Sequence, residues 1–312
     1  MKITIAGDLG SGKSSVAKIL SRTLEFEYLS TGQMHRKIAE EYGVDALALN
    51  KIASKDESID DRIDGYLRSL NESDKDLIID SRMAWHFVKD TFKIYLEVHS
   101  EVGADRVLGD KGRISEPTYQ GRESALAILK ARKSSENERF FEKYKVRCDD
   151  LSNYDITINT SDSSVESVSK LISQLFKAWS NREDYQKSWI SPRFVFPTKR
   201  LSLTEQEQAE HLKSEIDKQD FKTQNPVECV KFKEYYFIRD GHRRCSEALY
   251  SRLDFIPFHL LATDEQEIDR GSTAADFVHG ALDLDWYHEW EEAHGFRFIK
   301  YPALPQTDEQ AS

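Results

Sequence analysis

Gly7, Gly12, Lys13 and Ser14 stand in the pattern G-x-x-x-x-G-K-S, with Gly10 as a further glycine, inside the segment GDLGSGKSS. Small residues in this order let successive backbone N–H groups surround phosphate oxygens. The lysine then reaches the β and γ oxygens, and the serine hydroxyl serves a magnesium ion. Gly7, Gly10, Ser11, Gly12, Lys13, Ser14 and Ser15 are therefore the expected ATP-binding set, with Mg2+ on Ser14 and Asp80. An S-x-G turn, Ser30 and Gly32, is followed by Arg36, and Arg82 stands two residues beyond Asp80. A guanidinium fork meets two phosphate oxygens at once, so Ser30, Gly32, Arg36 and Arg82 are candidates for holding an acceptor. Asp80 either serves the metal and acceptor or holds a neighbouring arginine. Arg132 and Arg139, with Lys130 and Lys133 nearby, could offset charge on a transferring phosphoryl group and exclude water. The alternative is a solvated helix with internal pairs such as Glu136 with Arg139. Lys13, Asp80, Arg82, Arg132 and Arg139 form the expected catalytic group.

These residues need a scaffold, and the hydropathy pattern supplies one. Residues 2–6 alternate as a strand before the glycines, and Val16, Ile19, Leu20 and Leu24 follow at helical spacing. A short strand is expected at 26–29, a helix at 33–42, and a polar, lid-like helical insertion at 46–70. Strands at 77–79 and 92–98 suit a parallel sheet covered on both faces, at whose carboxyl ends ligands usually sit. A charged helix at 124–145, a strand at 154–161 and a helix at 165–179 complete five parallel strands. Residues 181–191 read as a linker. Beyond them come a turn with a capped helix in PTKRLSLTEQEQAEHLKSEI and two strands around Lys233-Glu234. Asp240-Gly241-His242 opens a helix to Tyr250, Trp286 and Trp290 pack on one helical face, and residues 305–312 read as a disordered tail.

With 312 residues the chain has room for two domains, expected at 1–180 and 181–312. No run approaches the roughly 18 apolar residues that cross a bilayer, and no export signal is visible, so a cytoplasmic protein without membrane contact is expected. Cys148, Cys229 and Cys245 lie too far apart for a paired metal motif or a disulfide framework. A net charge of −11 favours a small-molecule enzyme over a protein that coats DNA. Oligomeric state is not encoded in any feature of the sequence.

Residues 1–175 resemble the cytidylate kinase family, particularly its short archaeal-type branch. The resemblance rests on the loop Gly7 to Ser14, on Ser30, Gly32 and Arg36, and on Ser81-Arg82 in place of a G-R pair. It also rests on Arg132, Ser135, Glu136, Arg139 and Phe140 in an R-x-x-S-E-x-x-R-[FY] segment, and on DLSNYDITINTS at 150–161. It implies a three-layer α/β P-loop NTPase domain that moves the ATP γ-phosphoryl group to a nucleoside monophosphate or related metabolite. Arg36 and Arg82 would lie near the acceptor phosphate, and Arg132 and Arg139 in the lid. Asp8, where the family has a small residue or proline, and Ser81 depart from the pattern.

Residues 191–263 resemble the ParB and sulfiredoxin superfamily through PTKRLSLTE and YYFIRDGHRRCSEAL, which implies a smaller α+β domain. Asp240, Gly241, His242, Arg243 and Arg244 are its candidate second anion site, at a helix start that favours phosphate. The plain alternative is a helix cap paired with acidic neighbours. Cys245 does not fit the catalytic cysteine of a sulfiredoxin. Two other functions stay open: a regulatory ATPase whose second domain binds DNA through the basic residues 197–200, and a second domain that is itself a small-molecule kinase.

Overall fold

A computed structural model of the chain describes residues 1–44, 46–53, 56, 58–110, 119–201, 225–269 and 271–302. It divides into two compact units, Met1–Glu183 and Asp184–Ser312. The helix expected in PTKRLSLTEQEQAEHLKSEI and the tail at 305–312 fall largely outside the described residues.

In the first unit, five strands lie in the order β2-β3-β1-β4-β5: β1 (Lys2–Gly7), β2 (Glu27–Ser30), β3 (Leu77–Asp80), β4 (Thr91–Glu97) and β5 (Ile156–Asn159). Every pairing between them is parallel. Isoleucines 3, 5, 78, 79, 94, 156 and 158 are at most 1% exposed, as expected of strands covered on both faces. The register sets Asp80 beside Ile5 on one side and Ser30 on the other. The ends of three strands therefore form one rim, and the glycine loop leaves from β1 at one side of it.

Helix α1 (Lys13–Leu24) starts at Gly12 and buries Val16, Ala17 and Leu20. Helix α2 (Thr31–Tyr42) follows β2 without a gap. The insertion expected as one helical stretch is two helices, α3 (Ala46–Ala53) and α4 (Ser58–Ser69). They share a small core of Ile38, Ala39, Leu49, Ala53 and Ile59. A short α5 (Ala84–Phe87) follows β3. Helix α6 (Ser100–Gly109) was not expected from the sequence. Its cap is the ring of His99, whose Nδ1 accepts the Glu101 N–H at 3.3 Å, in place of the usual short polar side chain. Helix α7 (Arg122–Tyr144) buries Ala125, Leu129, Glu136 and Phe140, so a carboxylate lies on its covered stripe. Helix α8 (Val165–Asn181) is capped by Ser164 and closes the unit through Val168, Leu171, Ile172 and Leu175.

The second unit is α+β, with strand order β6-β10-β8-β9-β7: β6 (Ser188–Ile190), β7 (Val195–Phe196), β8 (Val227–Phe232), β9 (Tyr235–Asp240) and β10 (Ile256–Thr263). Strands β8 and β9 form an antiparallel hairpin, β10 runs parallel to β8, and β7 parallel to β9. Part of the expected linker is β6, because Trp189 and Ile190 are fully buried against β10. A small pair, β11 (Glu267–Asp269) and β12 (Ser272–Thr273), precedes the last helices. Helix α9 (His242–Tyr250) follows β9, and α10 (Ala274–His279) and α11 (Leu284–His294) come after β12. The expected Trp286–Trp290 pairing gives way to another arrangement. Tyr287 takes the buried position in one core, and Trp290 packs on His242 and His294 in the other. Among the described residues, no helix is long and apolar enough to cross a membrane.

Two loop glycines are required for different reasons. A Cβ on Gly7 would lie 2.1 Å from the Leu96 carbonyl oxygen, whereas a Cβ on Gly12 would meet nothing within 4 Å and suffers only from φ of +86°. Gly12→Ala is expected to cost about 1–3 kcal/mol through backbone strain alone. Gly7→Ala should cost more, because β1 and β4 must separate to admit the methyl group. Urea denaturation of the two variants checks this order, and equal losses would contradict it.

Candidate functional site

The left-handed turn at Gly12 brings the start of α1 against the end of β1. Lys13 Nζ donates to the carbonyl oxygens of Gly7 at 2.8 Å and Asp8 at 2.6 Å, and Ser11 Oγ donates to Asp8 O at 2.8 Å. Ser14 Oγ donates to Asp80 Oδ2 at 2.6 Å, and the Tyr28 hydroxyl reaches the same oxygen at 3.2 Å. Ser15 is exposed on the first turn of α1. The loop is braced by Arg106 of α6, which no sequence signature marked, and by Thr160 just past β5, within the segment DLSNYDITINTS. Arg106 donates to Gly10 O at 3.4 Å and Thr160 O at 2.6 Å, and Thr160 Oγ1 donates to Ser11 O at 3.1 Å.

This arrangement suits a magnesium triphosphate. The ammonium of Lys13 rests on loop carbonyls that a phosphate oxygen could replace. Ser14 and Asp80 present one hydroxyl and one carboxylate, a sparse oxygen set of the kind magnesium uses when phosphates and water complete its shell. Among the described residues, no group of three or more His, Cys, Asp or Glu side chains is placed to hold a metal ion by itself.

Beside the loop lies a field of arginines. The buried Glu136 carboxylate pairs with Arg82 through Oε2 and accepts from Arg132 Nε at 2.8 Å through Oε1. Arg139 faces Asp60 of α4 at 3.5 Å. The pairing of Glu136 with Arg139 that the sequence allowed is thus replaced: Glu136 turns to the core, where two guanidinium groups need an anion. Arg36 shares the first turns of α2 with Gly32, and its Nη1 and Ser30 Oγ each lie within 4 Å of where a Gly32 Cβ would stand.

Lys13 is lowered to about 7, first by burial and then by Arg82, against the pull of Asp80 and Asp8. Burial and Arg132 lower Arg82 to about 10, so it stays charged. His35, on α2, is lowered to about 4 by burial and then by Arg132, Arg139, Arg36 and Arg82. Arg82 and Arg132 therefore act on both groups, Lys13 of the phosphate loop on one side and His35 of α2 on the other. His35 escaped notice in the sequence because a lone histidine beside an arginine carries no motif.

Asp8 is put to use. Its carboxylate accepts from Tyr95 Oη at 2.9 Å and Val98 N at 3.2 Å, and pairs with Lys133 of α7 at 2.6 Å. Burial works to raise the Asp8 pKa, but Lys133 and these hydrogen bonds leave it below the ordinary value. The residue that broke the sequence pattern thus ties α7 to the glycine loop.

In the second unit, Lys199, Asp240, Gly241, His242, Arg243, Arg244 and Glu247 line a pocket of about 400 Å³. Most of its charge is internally matched. Arg243 Nε donates to Glu247 at 3.0 Å, Arg244 donates to Asp240 at 2.9 Å and to Pro226 O at 2.5 Å, and His242 Nε2 accepts from Thr198 N at 3.2 Å. The free thiols Cys148, Cys229 and Cys245 are all buried.

A central strand that turns through glycines into a helix, in a parallel sheet with a lysine and a Ser–Asp pair at its rim, defines a P-loop phosphotransferase fold in the first unit. The chain belongs to the cytidylate kinase-like family, whose model matches residues 2–162. A cytidylate kinase of Haloarcula marismortui is 37% identical over 162 residues, covering 51% of this chain and 81% of that protein. A cytidylate kinase of Sulfolobus acidocaldarius is 39% identical over 175 residues, covering 55% of this chain and 92% of that protein. Among solved structures, a shikimate kinase from Acinetobacter baumannii in complex with shikimate aligns with 57% of this chain and 93% of that one, at 18% identity. Its TM-score is 0.39, too low to carry any argument. The family match ends at residue 162 and so bears on the first unit.

The depressed Lys13 predicts a pH dependence. A triphosphate favours the charged ammonium, so binding should draw a proton onto Lys13 above its free value of about 7. Affinity for ATP is expected to be highest below that value and to fall as pH rises through it, by up to about tenfold per pH unit. Calorimetry between pH 7.5 and 9, in buffers of different ionisation enthalpy, measures the uptake. A Lys13→Met variant should lose it, and pH-independent binding by the parent chain would contradict the assignment.

Proposed function

We propose that the first unit transfers the γ-phosphoryl group of ATP to a nucleoside monophosphate, with a cytidylate-like acceptor preferred. The observation that carries this reading is the shared position of Arg82 and Arg132, which act electrostatically on Lys13 and on His35 alike. A charge that builds on a group passing between two phosphates would be met by both. In this reading Lys13 leaves the carbonyls of Gly7 and Asp8 for the β and γ oxygens, with Gly7, Gly10, Ser11, Gly12 and Ser15 forming the backbone cradle. Ser14 and Asp80 would hold Mg2+, which neutralises and orients the phosphate tail when bound. Ser30, Gly32 and Arg36 receive the acceptor, and Arg132 and Arg139 reach it from α7. Lys133, fixed on Asp8, holds α7 close and helps exclude water. Residues 1–180 would suffice for this chemistry.

A second reading concerns residues 181–312, for which the pocket around the DGHRR turn supports an anion site of its own. Together with the resemblance to the ParB and sulfiredoxin superfamily, it favours a phosphometabolite or nucleotide ligand over DNA, since Arg243 and Arg244 are already matched by Glu247 and Asp240. Lys199→Gln combined with Arg243→Gln should weaken phosphate binding by the second unit at least fivefold in calorimetry. An unchanged isotherm would leave the turn a helix cap.

The principal test is an acceptor screen with Mg2+, ATP and CMP, dCMP, UMP, AMP or GMP, read by ADP release. CMP or dCMP should stimulate turnover most, and a rate no higher than with ATP alone for every monophosphate would end the proposal. Arg132→Gln is expected to lower kcat by about 10²-fold with little change in the KM for ATP, the signature of contact made in the transition state.

A further inference from the structure

His35 is the polar group at this site that the chemistry above leaves unused. It sits in α2, one residue before Arg36, and among the described residues its Nε2 is buried without a hydrogen-bond partner. Buried polar atoms are paired in the great majority of cases, and an exception calls for an explanation. The charged groups around the ring come from every side. Arg36 belongs to its own helix, Arg82 to the segment after β3, and Arg132 and Arg139 to α7. Two carboxylates temper them, Glu136 between Arg82 and Arg132, and Asp60 of α4 facing Arg139. Among the described residues, four guanidinium groups against these two carboxylates leave two positive charges in surplus, the complement of a phosphate monoester dianion.

We propose that His35 is a substrate-binding residue, whose Nε2–H donates to a phosphate oxygen of the acceptor inside this arginine cluster. A neutral imidazole suits the position. It adds a donor without a fifth permanent cation, which the surrounding arginines would repel while the site is unfilled. When the dianion arrives it offsets the field of the arginines, and the ring becomes easier to protonate. Acceptor binding then brings a proton to His35 in mildly acidic solution, and a second charge-assisted contact forms only in the loaded site. This inference rests on the phosphotransferase reading for the name of the ligand, but on the cluster alone for its phosphate.

Two measurements separate those supports. In the first, the His35 ring resonances of the full chain, assigned by their loss in His35→Phe, are followed by NMR during titration with inorganic phosphate and then with CMP at pH 5.5–6.5. Both ligands should move the ring toward the protonated form. A ring that stays fixed at saturating ligand overturns the proposal. A ring that responds to phosphate, in a protein that phosphorylates no nucleoside monophosphate, upholds the site while removing the nucleotide from it. The second is steady-state kinetics with CMP as acceptor. His35→Phe should raise the KM for CMP at least tenfold, with kcat changed less than threefold and the KM for ATP unchanged. His35→Gln, which can place a donor near the Nε2 position, should recover most of the loss. Calorimetry at pH 6 should show fewer protons taken up by His35→Phe than by the parent chain on binding CMP. Equal KM values and equal proton counts would sink the assignment even if the enzyme is fully active.

Discussion

Arginine side chains repel one another, and the first unit depends on a carboxylate that lets two of them share a confined space. In general, two like unit charges about 5 Å apart repel by about 3 kcal/mol at an effective dielectric of about 20. Glu136, on the buried stripe of α7, relieves this between Arg82 and Arg132. The same contact ties α7 to the end of β3. Moving the helix away would therefore expose two cations and strip a buried anion of both its partners, a combination that costs far more than a surface ion pair. The position of α7 is thus an electrostatic consequence of where β3 ends.

That end is fixed by backbone geometry. Parallel pairing aligns Ser30, Asp80 and the glycine loop along one rim, and the hydroxyl of Ser14 meets Asp80 only because α1 begins where β1 stops. Gly7 makes the close approach possible, since any side chain there would strike the backbone of β4. Lys13 pays for this compactness in acidity: confined beside Arg82, its ammonium holds its proton less firmly than a free lysine does. A triphosphate, as proposed, would supply the negative charge that the loop carbonyls only approximate.

Much of this was legible in the sequence, and what was not has identifiable physical causes. Strand β1, the glycine loop and α1 follow from alternation, glycine placement and helical spacing within 24 residues, all local signals. Helix α6 escaped because its cap is a histidine ring instead of a short polar side chain. Strand β6 was hidden in a polar stretch, where Trp189 and Ile190 pair with a strand far along the chain. At the site, Lys13, Ser14, Asp80 and the arginines were marked by type and spacing. Their partners were not, because Glu136 could have turned to either of two arginines by helical spacing and only packing decides which. Arg106 and Thr160 brace the loop from positions that no local pattern connects to it.

Asp8 shows how one departure from a family pattern is absorbed. A carboxylate inside a phosphate-binding loop should repel the ligand and suffer from burial, and either effect alone would argue against it. Here its oxygens point away from solvent into donors from Tyr95 and the Val98 amide, and Lys133 cancels its charge. The compensation comes from α7, the same helix that carries Arg132 and Arg139. A lysine that neutralises Asp8 is one that cannot, while so engaged, add its charge to the phosphates. The loop thereby exchanges a flexible cation for a fixed attachment of the helix beside it, and in the proposed reading the arginines, held by Glu136 and Asp60, are left to meet the phosphoryl group.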